Sequence, residues 1–306
     1  MKKWIKWLLL ILVIIGVGGG GWYAIHVPKS SNSSEIKTPK YVEKENVKVV
    51  ALGDSLTHGE GDETNNGGYV GIIKNKIEHR YRQTQVTTVN YGVTGDRSDQ
   101  ILDRLTQQTQ LRKDLQDADV ITMTVGGNDL MQILKKNVMG SESQVTSSVE
   151  RGEKVYQQKL NKLFGAVRKE NPRAPIFVMS IYNPFYTYFP DVTIINQSID
   201  KWNQTTKSAM NNYKSMYFVN INKIMSYGQY QTKGQQQQLI KEEEKANQGQ
   251  VSQKRVIAIM NHKDKNLNKY ISTEDNFHPN HAGYVKIADQ LFKSMEKHDS
   301  WEFTRR

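Results

Sequence analysis

Short apolar, β-branched runs alternate along this chain with longer stretches whose apolar positions recur every three to four residues. Val47–Leu52 is the first such run and stops at Gly53, as a buried strand does. A helix is predicted next, with Tyr69, Val70, Ile72, Ile73 and Ile77 on roughly one face. Val86–Tyr91 reads as a second strand, followed by a long polar helix over Ser98–Gln116 that carries Ile101, Leu105, Leu111 and Leu115. Val120–Val125 is a third strand, ending at Gly126 and Gly127. A long helix over Ser143–Glu170, a strand at Ile176–Ile181, a helix over Val192–Tyr213, a strand at Met216–Ile221 and a closing helix over His281–Lys297 complete the pattern.

Strands alternating with helices call for a parallel sheet covered on both faces. Right-handed crossovers make a doubly wound, three-layer αβα domain with five parallel strands the simplest topology. Chemistry in such folds gathers at the carboxyl ends of the strands, so the loops after the first three strands should meet in space. Tyr227–Gln253 holds a Gln run and a Lys/Glu run with little apolar content. It reads as a solvated helix or surface insertion, with a lid as the alternative.

The N-terminus has a different pattern. Lys2, Lys3 and Lys6 precede Trp7–Ile25, which carries no charge. At roughly 1.5 Å per residue that run spans about 28 Å, close to the thickness of a bilayer core. Residues 1–27 therefore read as a cytoplasmic stub and a single transmembrane anchor, with the basic flank inside and the rest outside. A cleaved signal peptide is the alternative and would release the domain. Residues 28–45, rich in Ser, Lys and Pro, read as a tether, 46–298 as the domain and 299–306 as a tail.

Composition narrows the partners. There are 42 Lys and Arg against 31 Asp and Glu, a net charge of +11, which favours anionic surfaces such as lipid, acidic wall polymer or nucleic acid. Export and the lack of any recognition motif argue against nucleic acid. Cysteine is absent, which excludes disulfides, thiolate metal sites and a Cys nucleophile.

Four polar segments carry candidate chemistry. Gly53-Asp54-Ser55-Leu56-Thr57-His58-Gly59 follows the first strand, where a serine either exposes its hydroxyl at the sheet edge or belongs to a helix cap. Asn90-Tyr91-Gly92-Val93-Thr94-Gly95-Asp96-Arg97-Ser98 follows the second; its glycines allow a backbone N–H to approach a ligand, or simply form a turn. Gly126-Gly127-Asn128-Asp129 follows the third and presents an amide that can serve an oxyanion or cap the next helix. In Asp275-Asn276-Phe277-His278-Pro279, a tight turn lets the carboxylate accept from one ring nitrogen while the other acts as a base.

Taken in order, these segments resemble the four signature blocks of the SGNH/GDSL hydrolase superfamily, and the chain is similar to its exported YpmR-like lipase/acylhydrolase branch from about Val47 to Lys297. The resemblance implies a five-stranded, flavodoxin-like αβα fold and hydrolysis of carboxylic esters without metal or organic cofactor. It implies Ser55 as nucleophile, His278 as general base and Asp275 as its orienting carboxylate. The backbone N–H groups of Ser55 and Gly95 and the side-chain amide of Asn128 would form the oxyanion hole.

Rival readings attach to other residues. His58 with Asp62 is a weaker base candidate, and His281 reads as a cap or solvent-facing residue of the closing helix. Asp54, Asp129, Asp275 and His278 would serve a metal-dependent phosphoesterase, although Ser and Asn occupy the best positions and are poor metal ligands. The aromatic loop after the fourth strand offers Tyr182, Phe185, Tyr186 and Tyr188 as a substrate platform, or as a cover for the core. The substrate expected is a lipid or an acylated envelope polymer. A carbohydrate O-acetylesterase is the nearest alternative, and a non-catalytic binding module on the same fold a more distant one.

Overall fold

The computed structural model describes residues 41–137, 140–246 and 268–305. The proposed anchor at Trp7–Ile25 and most of the tether lie outside the described residues, as do 247–253 of the Gln-rich segment. Among the described residues no helix is long and apolar enough to cross a membrane.

The elements in chain order are β1 (Tyr41–Glu43), β2 (Asn46–Gly53), α1 (Ser55–His58), α2 (Tyr69–Arg80), β3 (Gln85–Gly92), α3 (Ser98–Gln107), α4 (Thr109–Gln116), β4 (Val120–Thr124), α5 (Gly127–Lys136) and α6 (Glu142–Glu170). There follow β5 (Ile176–Met179), α7 (Thr193–Met210), β6 (Met216–Val219), α8 (Asn222–Tyr227), α9 (Lys233–Ala246), α10 (His281–Lys297) and β7 (Phe303–Arg305). Five strands form one parallel sheet in the order β3-β2-β4-β5-β6. That is the flavodoxin-like order, whose topological switch point lies between β2 and β4.

Alternation along the strands divides the core in two. Val50 and Leu52 of β2 point with Ile121 and Met123 of β4 toward α3, α6 and α7, where they pack with Ile101, Leu160, Phe164 and Trp202. Val49 and Ala51 point with Val120 and Phe177 to the other face, under Ile73 of α2 and Tyr284 and Leu291 of α10. Both faces are covered, which is why the strands read as unbroken apolar runs.

The structure departs from the sequence pattern in two places. The helix expected over Ser98–Gln116 breaks at Gln108, whose backbone is extended (φ −94°, ψ 106°). Arg112 caps the break, its Nη1 donating to Leu105 O at 3.2 Å and also to Thr106 O. The Gln-rich segment, as expected of a solvated helix, contains α9, exposed along most of its length and held by the buried Leu239.

The second departure is at the edges of the domain. Residues 299–305 belong to the domain and are not a tail: β7 pairs antiparallel with β1, so the compact unit runs from Tyr41 to Arg305 and not from 46 to 298. Trp301 is buried edge-on against Tyr81, with ring centroids 5.8 Å apart, and Glu302 accepts from Thr84 Oγ at 2.6 Å. A three-residue strand carries too little periodicity to be read from sequence.

Candidate active site

Gly53 pairs with Gly92 on one side and Thr124 on the other, so β2, β3 and β4 end on one line. The three polar loops therefore start side by side at the switch point. Ser55 begins α1 directly after β2. Asp54 caps that helix, its Oδ1 accepting from Leu56 N at 3.1 Å and from Thr124 Oγ at 2.7 Å. Thr124 Oγ lies 2.8 Å from Thr57 Oγ, which is 3.0 Å from the Tyr69 hydroxyl. This buried hydroxyl chain ties the serine turn to the end of β4 and to α2. Burial pushes the Asp54 carboxyl above its usual range despite those hydrogen bonds, and pushes the Tyr69 phenol up to about 12.

His278 arrives from the turn before α10. One oxygen of Asp275 accepts from the N–H groups of Phe277 and His278, both at 2.9 Å, and so closes the turn. Its other oxygen faces His278 Nδ1 in a short contact. Asn276 between them takes the left-handed conformation (φ 55°), which Asn tolerates better than most residues. The spacing of three thus lets one carboxylate both shape the turn and hold the ring. Burial raises the Asp275 carboxyl, but the hydrogen bonds and charge of His278 and the two backbone N–H groups outweigh it, leaving it below the ordinary range. With a proton on Nδ1 facing the carboxylate, Nε2 is an acceptor, and it lies 2.8 Å from Ser55 Oγ.

Asn128, in the first turn of α5, lines the same pocket as Ser55 and His278 and donates its amide to Asp96 O at 2.9 Å. Gly126 before it is left-handed (φ 105°), a conformation that permits the abrupt step from strand to helix. Gly95 precedes Asp96, also with positive φ (86°), and space for a Cβ there is open. Asp129 accepts from Ser98 N at 2.9 Å and Ser98 Oγ at 2.7 Å, locking the Gly95 loop to α5.

A residue not singled out from sequence completes the frame. Arg104 donates through Nε to Asp96 Oδ2 at 2.6 Å, through Nη1 to Tyr91 O at 3.1 Å and through Nη2 to Gly53 O at 2.9 Å. One guanidinium thus joins the ends of β2 and β3 to the Gly95 loop. Its signal was an arginine on the face of α3 that carries Ile101 and Leu105.

Other candidates do not join the serine, imidazole and carboxylate. His58 is exposed, and His281 at the head of α10 lies with Nδ1 3.1 Å from Asp62 Oδ1. Asp54 and Asp129 are engaged by hydroxyl and amide donors, and among the described residues no three His, Asp or Glu side chains are grouped to hold a metal ion. Of the four aromatic candidates, Tyr182 lines the pocket and donates to Phe277 O at 2.8 Å, and Phe185 lies beyond it against Phe277. Tyr186 takes the second of its two readings, a cover for the core, packed on Tyr227 with centroids 4.5 Å apart. Tyr188 is likewise core, buried with Phe189.

A serine, an imidazole and a carboxylate in line at the switch point of an αβα sheet are the arrangement of a serine hydrolase. The chain belongs to the GDSL-like lipase/acylhydrolase family, whose model matches residues 51–286, and it is a carboxylic ester hydrolase of that type. It is 30% identical over 270 residues to the uncharacterized protein YpmR of Bacillus subtilis (strain 168), covering 88% of this chain and 89% of that protein. It is 28% identical over 162 residues to the spore germination lipase LipC of Bacillus licheniformis, covering 53% of this chain and 74% of that one. The fold resembles the lipase Lip_vut3 from a goat rumen metagenome, with a TM-score of 0.58 at 20% identity over 81% of this chain and 97% of that one. It also resembles an acetyl-xylooligosaccharide esterase from Geobacillus, with a TM-score of 0.51 at 16% identity over 81% and 94% of the two chains.

Proposed function

We propose that this protein is a membrane-tethered, extracytoplasmic serine esterase, a lipase-like acylhydrolase working through an acyl-Ser55 intermediate. The observation that carries the reading is the 2.8 Å approach of Ser55 Oγ to His278 Nε2, with Asp275 behind Nδ1. His278 takes the hydroxyl proton as Ser55 Oγ bonds to the ester carbonyl carbon. The resulting oxyanion is met by the N–H groups of Ser55 and Gly95 and the amide of Asn128. Collapse breaks the bond to the alcohol, which leaves with the proton from His278. Water, deprotonated in turn by His278, releases the acid and restores Ser55.

The uncharged Trp7–Ile25 run behind three lysines supports the anchor, and the net charge of +11 supports an anionic substrate at the envelope. The lipase name of LipC supports a lipid ester. A carbohydrate O-acetylesterase is the second reading, favoured by the small chamber of about 40 Å³ beside Ser55. The test is hydrolysis of p-nitrophenyl esters from acetyl to dodecanoyl by the full-length protein, with Ser55→Ala alongside. Turnover lost in the variant is expected; turnover that survives it would remove Ser55 from the mechanism. Fractionation of cells producing the protein tests the tether, which expects it in the membrane and open to protease added outside. A soluble product shortened at its N-terminus would instead mean that the anchor is cleaved.

A further inference from the structure

The loop of residues 59–68, between α1 and α2, touches three parts of the catalytic arrangement. At the nucleophile, the backbone N–H groups of Gly59 and Glu60 both donate to Ser55 O, at 3.0 and 3.1 Å. At the oxyanion loop, Thr94 Oγ donates to Glu60 Oε2 at 2.8 Å, and Thr94 immediately precedes Gly95. At the base, Gly61 lies so close that a Cβ there would stand 3.1 Å from His278 Cβ and 2.7 Å from Pro279 O.

This loop is held from inside. The Asp62 side chain has no exposed surface; its Oδ1 accepts from Thr64 N at 3.1 Å and Thr64 Oγ at 2.7 Å, and its Oδ2 from Gly68 N at 3.0 Å. His281 Nδ1, at the head of α10, lies 3.1 Å from the same Oδ1. Burial raises the Asp62 carboxyl, but its contacts with Thr64, His281 and Gly68 outweigh that and leave it below the ordinary range. The buried Tyr284 donates its hydroxyl to Glu60 O at 2.7 Å. The Glu60 backbone is therefore fixed at its N–H by Ser55 and at its carbonyl by Tyr284, while its carboxylate reaches across to the exposed Thr94.

We propose that Glu60 is a positioning residue for the oxyanion hole, setting the Gly95 N–H against Ser55 through its bond to Thr94. The inference rests on the esterase reading of Ser55. The two backbone donors of the hole come from separate loops, after β2 and after β3, and donors stabilise a developing oxyanion only when they are aimed at one point. Asn128 and Arg104 hold the Gly95 loop at Asp96, from α5 and α3. On the other side of Gly95, where Val93 and Thr94 are exposed, the Thr94–Glu60 bond ties the loop to the nucleophile's own turn. Gly95 has no side chain to pack, so the direction of its N–H depends on what holds its two neighbours. Glu60 touches neither the ester nor the reacting atoms in this role; it acts through Thr94.

A double-mutant cycle on kcat tests this, with p-nitrophenyl acetate and the full-length protein in detergent. Thr94→Val and Glu60→Ala should each lower kcat by about five- to ten-fold, within the worth of one hydrogen bond, with little change in KM. The double variant should fall no further than either single one. Glu60→Gln, which keeps an acceptor for Thr94 without the charge, should recover most of kcat. Melting temperatures should not follow kcat, because the bond lies at the surface. The rate at which a fluorophosphonate labels Ser55 should follow it, since the phosphoryl oxygen enters the same hole. Effects that add in the double variant, a Gln variant as slow as the Ala variant, or single variants within two-fold of wild type would each overturn the proposal. The esterase reading is judged apart, on the wild type. Labelled Ser55 and turnover lost in Ser55→Ala uphold it whatever the cycle shows, whereas an inert, unlabelled wild type refutes both.

Discussion

The side-chain amide of Asn128 donates to the backbone carbonyl of Asp96 at 2.9 Å. One amide hydrogen therefore fixes the Gly95 loop to α5, and the second is free to meet an oxyanion. Catalysis and positioning fall on a single side chain. Asn128→Ala should lower kcat by about 10²–10³-fold, the usual effect of losing one oxyanion donor, with a much smaller change in KM. Steady-state kinetics on a short-chain ester measure both. A kcat within two-fold of wild type would take Asn128 out of the oxyanion hole.

Arg104 acts one step further from the substrate. Its three bonds to Asp96, Tyr91 and Gly53 hold the β2 and β3 ends against the Gly95 loop, and both members of its ion pair with Asp96 are mostly buried. Arg104→Ala leaves the Asp96 carboxylate without its partner, which should cost about 3 kcal/mol in urea unfolding. Arg104→Lys retains the charge but not the three-way fork, so it should recover much of the stability while kcat stays low. If kcat returned together with stability in the Lys variant, Arg104 would be a structural residue only.

Asp275 makes the fold sensitive to acid. Its carboxyl is held below the ordinary value of 3.8, so the native state favours the ionised form more than the unfolded chain does. The stabilisation is then fully present above the unfolded value and is lost as pH falls through the lower folded one. The stability difference between wild type and Asp275→Asn should be constant near neutrality and shrink below about pH 4, as urea melts across that range would record. A difference that grew with acid would reverse the assigned shift. At neutral pH the Asn variant should also keep more activity than His278→Ala, because Asp275 orients the ring without passing a proton.

How much of this was legible depends on how local each cause is. The five parallel strands were readable because a sheet covered on both faces makes each run apolar without interruption, as in Val47–Leu52. The site segments were readable because each lies within a few residues: Asp275 and His278 share a turn, and Ser55 follows directly on β2. Arg104 was missed because its partners are carbonyls and a carboxylate on three separated segments, which no spacing reveals. The fate of the aromatic loop was likewise set by tertiary packing. Tyr182 and Tyr188 look alike in sequence, yet one borders the pocket and the other is sealed against Phe189. The Gln108 break depends on Arg112 reaching back to open carbonyls, again a contact outside any periodic pattern.

The C-terminal strand offers the sharpest check on the domain edges. Trp301 is buried against Tyr81, its indole N–H donates to Met295 O at 3.3 Å, and β7 pairs along β1. Trp301→Ala removes a large buried side chain and should destabilise the domain by about 3–5 kcal/mol. The nearest described catalytic contact is made by α1 and the turn before α10, not by β7, so the folded fraction of the variant should turn over ester at the wild-type rate. Thermal melts and specific activity, normalised to folded protein by circular dichroism, separate the two effects. An unchanged melting temperature would mean that residues 299–305 are the tail their sequence suggests, and that the pairing with Tyr41–Glu43 does not hold in solution.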